Sequence, residues 1–185
     1  MFCPHCHAEV ETTVRTVSEV YPVKGEDTTI CAHVRFCLRC DTELWDEELD
    51  SQNLMDAYTA YRKKHRLLQP AEIRAIREKY GLSQTAFARV LGLGDKTITR
   101  YENGSVADTA QNNLIELMNS PGNFEVLLRK SQGKLSEQEY ATACAAINAL
   151  RGLLVVYPPK TVKYNISERA DLHYSTNWYG GDRLA

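Results

Sequence analysis

The sequence predicts an α+β protein: a small β-rich N-terminal module stapled by four cysteines, then an all-α helix-turn-helix domain with a C-terminal extension. Three observations carry this. Five of the six cysteines fall in the first 40 residues, four of them as two Cys-x-x-Cys pairs. Between those pairs apolar residues alternate with the period of strands. From residue 46 the period becomes that of amphipathic helices, with capping residues and glycines at the breaks.

The cysteine pairs are Cys3-Pro4-His5-Cys6 and Cys37-Leu38-Arg39-Cys40. A Cys-x-x-Cys turn presents two thiolates on one side of a tight loop. Two such knuckles supply four sulfurs to a tetrahedral zinc ion, which makes a closed, structural site. Two disulfides, or a redox dithiol, are the alternatives. A chain whose first residues lack a basic start and an apolar run has no secretory signal, so a reducing, cytoplasmic setting is expected, where disulfides are rare. His5, His7 and His33 are expected as neighbours or surface groups. Cys31 and Cys144 are expected as small buried apolar residues.

Thr12-Val14-Thr16 opens one strand, and Thr28, Ile30, Ala32, Val34 and Phe36 share one face of a second. Lys24-Gly25-Glu26-Asp27 between them reads as a turn. Such a hairpin brings the second knuckle back to the first. About 40 residues bury little core, so the metal would supply much of this module's folding free energy.

Residues 46–66 read as a helix, with Leu54, Ala57, Tyr58 and Tyr61 on its inner stripe and Asp46, Glu47 and Glu48 at its positive N-terminus. Its end, Arg62-Lys63-Lys64-His65-Arg66, is either a solvated helix terminus or a contact for phosphate. A second helix is expected over Pro70–Tyr80, with Ile73, Ile76, Arg77 and Tyr80 inward and Gly81 as its stop.

Residues 82–104 then carry the mechanics of a helix-turn-helix. Ser83 caps the first helix of the pair. Phe87, Val90 and Leu91 face inward, and Ala88 is small where two helices approach. Gly92 suits the left-handed conformation at the turn, and Leu93 returns to the core. The second helix, Asp95 to Glu102, points Ile98 and Tyr101 inward. Lys96, Thr97, Thr99 and Arg100 are left outward, where a recognition helix meets the major groove.

This segment resembles the Xre/Cro helix-turn-helix repressors. With the paired knuckles in front, the first ~130 residues resemble the MqsA/YgiT antitoxin family, which joins an N-terminal zinc module to an Xre-type domain. The resemblance implies that Cys3, Cys6, Cys37 and Cys40 are zinc ligands, that Lys96 and Arg100 read bases, and that Gln84 contacts the DNA backbone. Three departures stand out. His7 and Asp41 follow the knuckles where the family often has glycine. Lys96 takes a base-reading position that is Asn in MqsA. Gly94 replaces a Ser common at the start of such helices.

Arg100 can pair bidentately with guanine, and Lys96 can donate to the same base or to a phosphate. Thr97 and Thr99 suit a phosphate or a thymine methyl. One such domain grips little DNA, so a symmetric homodimer on a palindromic operator is expected.

Residues 105–119 complete the helical domain through Leu114, Ile115, Leu117 and Met118. A helix near Asn123–Lys130 follows the Pro121-Gly122 break. Ser136-Glu137-Gln138-Glu139 is a capping box opening a further helix, whose Tyr140, Ala143, Ile147 and Leu150 stripe is either a dimer seam or more core. Thr161–Ile166 alternates like a short strand. The end carries Tyr174, Trp178 and Tyr179, which anchor a tail either on a partner or on its own domain. The expected division is a zinc module over 1–45, a connector over 46–69, a DNA-binding domain over 70–120 and an extension over 121–185.

Charge is also segregated along the chain, with boundaries of its own. The chain of 185 residues carries a formal net charge of −2, but residues 1–60 carry −8, residues 61–104 carry +6 and the remainder is neutral. Near-neutrality overall does not exclude DNA binding, because counterion release depends on local phosphate contacts. No stretch approaches the ~20 apolar residues of a membrane span.

No carboxylate pair, nucleophile–base set or phosphate loop appears, and His173 beside Asp171 reads as coincidence, so no enzyme is expected. The leading expectation is the antitoxin of a type II toxin–antitoxin system. It would bind its toxin, an mRNA-cleaving ribonuclease in one version, and repress its own operon. The acidic head would steer a basic toxin. The alternative is a stand-alone zinc-containing regulator of a phage or mobile element.

Overall fold

The computed structural model describes residues 1–154. The expected strand at 161–166, the aromatic tail, Asp171 and His173 lie outside the described residues.

The head is built from short strands β1 (Phe2–Cys3) and β2 (Ala8–Glu9), the long hairpin β3 (Thr12–Val23) and β4 (Glu26–Cys37), and β5 (Glu43–Leu44). β1 pairs with β2, while β3, β4 and β5 form a second antiparallel sheet in that order. The hairpin turn is tighter than the sequence suggested. Only Lys24 and Gly25 lie outside the strands, with φ of 53° and 81° and Val23 opposite Glu26. Positive φ at both central residues matches the right-handed twist of the flanking strands. Ile30, Ala32 and Phe36 are buried on one face of β4, as alternation predicts.

Cys31 overturns its expectation. It sits on the opposite face of β4 from Ile30 and Ala32, across from Ser18, and is exposed. The period-two geometry of the strand, not the preference of cysteine for burial, decides its side. Cys144 is half-buried against the helical core.

Helix α1 (Glu47–His65) starts on an Asp46 cap whose carboxylate accepts from the backbone N–H groups of Glu48 and Leu49. Asp46 also accepts from Arg35 Nε at 2.7 Å, which ties the cap to β4. Of the expected inner stripe of α1, Ala57, Tyr58 and Tyr61 do pack on the head cluster, and only Leu54 departs. Asn53 and Ala57 are fully buried, whereas Leu54 is exposed. Asn53 accepts from the His33 N–H and donates to the His33 carbonyl, both at 2.9 Å. It imitates a neighbouring strand at an open edge of β4, and this amide pairing outweighs the apolar pull of Leu54.

Helices α2 (Pro70–Glu78), α3 (Gln84–Leu91), α4 (Thr97–Glu102), α5 (Thr109–Leu117), α6 (Pro121–Lys130) and α7 (Glu137–Leu154) make the second body. Ile73, Ile76, Tyr80, Phe87, Val90, Ile98 and Ile115 fill its core. That core continues past residue 120 without a break. Phe124 of α6 stacks on Tyr80 at 3.7 Å between ring centroids, and Ala143 and Ile147 of α7 are buried in the same cluster. The apolar stripe of α7 therefore packs on its own domain. Ser136 and Glu139 form the expected reciprocal cap at its start.

Candidate metal centre and nucleic-acid interface

The hairpin returns Cys37 and Cys40 to Cys3 and Cys6. Cys3 and Cys37 are fully buried, and Cys6 and Cys40 half-buried. All four sulfurs lie within 4.8 Å of one another. Cys3 Sγ is 3.6 Å from Cys40 Sγ, and Cys6 Sγ is 3.9 Å from Cys37 Sγ. A tetrahedral ion with bonds of about 2.3 Å sets its sulfurs about 3.8 Å apart, so the cage fits zinc as it stands. A disulfide needs about 2.05 Å, and none is formed.

Backbone donors already face the sulfurs. The Cys6 N–H donates to Cys3 Sγ at 3.4 Å and the Arg39 N–H to Cys37 Sγ at 3.3 Å. Hydrogen bonding with Thr42, through its hydroxyl and its backbone, lowers the Cys40 thiol to about 6. Hydrogen bonding with Cys40 pushes Cys6 up to about 12, with burial adding to the rise. A bound cation would displace the thiol protons as it takes up the four sulfurs.

The two departures after the knuckles have a conformational meaning. His7 and Asp41 hold φ of 53° and 59°, the left-handed region that favours glycine. Asp41 is compensated by an ion pair with Arg15. His5 and His7 are not among the clustered ligand groups, and His33 Nδ1 faces Thr16 Oγ1 on the hairpin at 3.3 Å.

In the second body, α3 and α4 form the expected helix-turn-helix. Ser83 accepts from the Ala86 N–H, and Gly92 turns the chain at φ 71°. Its orientation is fixed by a polar chain through the core. Glu102, whose side chain is 0% exposed, accepts from Arg77 Nε at 2.6 Å and Arg77 Nη2 at 3.0 Å. Gln84 Nε2 donates to the same carboxylate at 2.8 Å, and Thr99 Oγ1 donates to Gln84 Oε1 at 2.8 Å. Burial alone would raise the Glu102 carboxyl, but Arg77, Gln84 and Arg74 hold it below the usual carboxylate range. Three helices are thereby locked through one acid. The inward stripe of α2 predicts Arg77 from the sequence. Nothing in the periodicity of α4 singles out Glu102, although it stands four residues after the inward Ile98.

The expected recognition side chains divide into three groups. Lys96 and Arg100 are exposed. Gln84 and Thr99 are half-buried and bonded to each other. Thr97 is only 8% exposed, which corrects its outward placement. The helix begins at Thr97, two residues later than expected, with Lys96 as its cap. The first turn folds Thr97 back, its N–H donating to the Gly94 carbonyl at 2.9 Å. Of the basic run ending α1, Arg62 is buried, Lys64 and His65 pair with Glu26, and Lys63 and Arg66 remain exposed.

No described helix is long and apolar enough to cross a membrane. No curated protein matches the chain. The family described as the antitoxin component of a bacterial toxin-antitoxin system, MqsA, matches residues 1–127, from the first knuckle through the helix-turn-helix into α6. With its four-cysteine head and helical body in this order, the chain belongs to the MqsA antitoxin family.

Proposed function

We propose that this antitoxin neutralises a partner toxin by direct binding and represses its own operon through sequence-specific DNA contacts. The carrying observation is the pair Lys96 and Arg100, exposed on a helix that a buried acid holds rigidly in place. A fixed helix with one exposed cation at its cap and another on its surface is the device that major-groove reading requires. Gln84 and Thr99 would contact the DNA backbone with the hydrogen-bonding capacity their mutual bond leaves over. Thr97, tucked beneath the helix start, supports the turn instead.

Cys3, Cys6, Cys37 and Cys40 would hold a structural Zn²⁺, which fixes the head and performs no chemistry of its own. The head over 1–45 and the acidic start of the connector, together −8 over residues 1–60, would present a surface suited to a basic toxin, an mRNA-cleaving ribonuclease in our reading. The 46–69 connector would join it to the 70–120 DNA-binding segment, whose core the helices at the start of the 121–185 extension complete. The active species would be a cytoplasmic homodimer on a palindrome, and we assign it no catalytic activity.

The test is co-expression with the adjacent reading frame, followed by footprinting of the shared upstream DNA. Relief of that frame's toxicity and a symmetric footprint support the reading. A footprint without any toxic neighbour overturns the antitoxin mechanism and leaves a regulator.

A further inference from the structure

We propose that Arg62 of the connector helix is a positioning residue for the recognition helix, acting from the side of the zinc head without touching DNA. The inference rests on the DNA-binding reading of α4.

Helix α4 has only six residues, too few to hold itself together in water. Its C-terminus is closed by two backbone bonds. The Gly104 N–H donates to the Tyr101 carbonyl at 3.1 Å, and the Ser105 N–H donates to the Arg100 carbonyl at 2.9 Å. This is a Schellman closure, and Gly104 at φ +106° supplies the backbone conformation it needs. The candidate base reader Arg100 is therefore one of the residues whose backbone the closure pins.

The closure is itself clamped from α1. The Arg62 guanidinium donates through Nη2 to the Gly104 carbonyl. Arg62 is 2% exposed, among the largest buried side chains of the described residues. Its charge lies where the negative end of the α4 dipole and the C-terminal carbonyls want a cation. Met55, two turns earlier on α1, covers Gly104 so closely that a Cβ there would collide with its Cε. Val106 then packs into the head cluster with Val23, Ile30 and Ala57, whereas Ala107 belongs to the helical core. The recognition helix thus exits through a loop shared by both cores.

The joint is narrow. Clefts of ≈ 180 Å³, lined by Val23, Tyr58 and Ser105 among others, and ≈ 200 Å³, lined by Tyr61, His65 and Asp108 among others, flank it. Among the described residues no carboxylate pairs with Arg62, and its Nη1 has no partner. A buried cation whose main bond is to the Gly104 carbonyl makes sense as a clamp on that carbonyl, because an apolar residue would fill the space at lower desolvation cost.

The experiment uses the zinc-loaded full chain and the variant Arg62→Met, which keeps most of the stem volume and removes the donor. Hydrogen exchange is followed at the Gly104 and Ser105 amides, with α2 and α5 as internal references. Faster exchange at the closure by about tenfold or more, with α2 and α5 unchanged, supports the clamp. Binding to the upstream DNA should fall about five- to tenfold, with the salt dependence of affinity unaltered. A salt slope reduced by about one, with exchange unchanged, would make Arg62 a phosphate contact and overturn the proposal. Unchanged exchange and unchanged affinity would overturn it too. Should Arg62→Met fail to retain zinc or helix content, Met55→Ala tests the same joint without removing a charge, and it must release the same two amides. If the wild type binds no upstream DNA, the DNA-binding reading fails, while the exchange result still decides whether Arg62 clamps the helix.

Discussion

Arg77 on α2 and Glu102 on α4 form an ion pair in the helical core, with Nε 2.6 Å from Oε1 and the carboxylate wholly shielded from solvent. Removing the acid would leave Arg77 and Gln84 without their shared acceptor. We expect Glu102→Ala to cost roughly 3–5 kcal/mol of unfolding free energy, measured by urea titration of the zinc-loaded protein. A loss well under 1 kcal/mol would show that the pair is replaced by solvent.

The same acid sets a pH dependence. Its folded value lies below the ordinary carboxylate one, so its stabilisation is fully present above the unfolded pKa near 4.5 and is lost as pH falls through the folded value. The stability gap between wild type and Glu102→Gln should therefore be constant near neutrality and shrink as the solution is acidified below about 4.5. A gap that widens on acidification would contradict the assignment.

Asn53 predicts a second large cost at a position that looks unremarkable in sequence. Its amide serves both the N–H and the carbonyl of His33. Asn53→Leu leaves both backbone groups bare and should destabilise the head by about 2–3 kcal/mol. Leu54→Asn, on the exposed side of the same helix, should stay within about 0.5 kcal/mol. Thermal unfolding of the two variants side by side checks this.

His7 holds a left-handed φ without a compensating partner among the described residues. His7→Gly should stabilise the loaded head by up to about 1 kcal/mol, because glycine meets no Cβ penalty there. Asp41→Gly gains the same relief but forfeits the Arg15 ion pair, so its gain should be the smaller. Chelator competition for zinc, run on both variants, ranks them.

Metal removal should separate the two bodies. The cluster of Cys3, Cys37 and Leu44 is too small to hold the knuckles by itself. Chelation, or Cys37→Ser, should abolish the ordered knuckles, while α2 to α7 keep their helical circular dichroism. Binding of one Zn²⁺ per chain by native mass spectrometry is the complementary check. Simultaneous loss of all helical signal would show that the bodies fold as one unit.

Features that depend only on neighbours in the chain were readable from its pattern. Cys-x-x-Cys spacing, the Ser83 and Ser136 caps, the Gly92 turn and the alternation of Ile30, Ala32 and Phe36 are local, and each appears where its pattern places it. The four-cysteine cage was legible for the same reason, since two knuckles joined by one hairpin have few ways to miss each other. Which polar groups went inside depended on contacts between elements distant in the chain. Asn53, Glu102 and Arg62 are buried because particular backbone or charged partners await them on other elements. Residue type alone argues against burying any of them. Thr97 and Cys31 err for different reasons. Thr97 turns inward because its helix starts later than its sequence pattern suggests, whereas the outward side of Cys31 was legible from its alternation with Ile30 and Ala32 and residue type was the wrong guide.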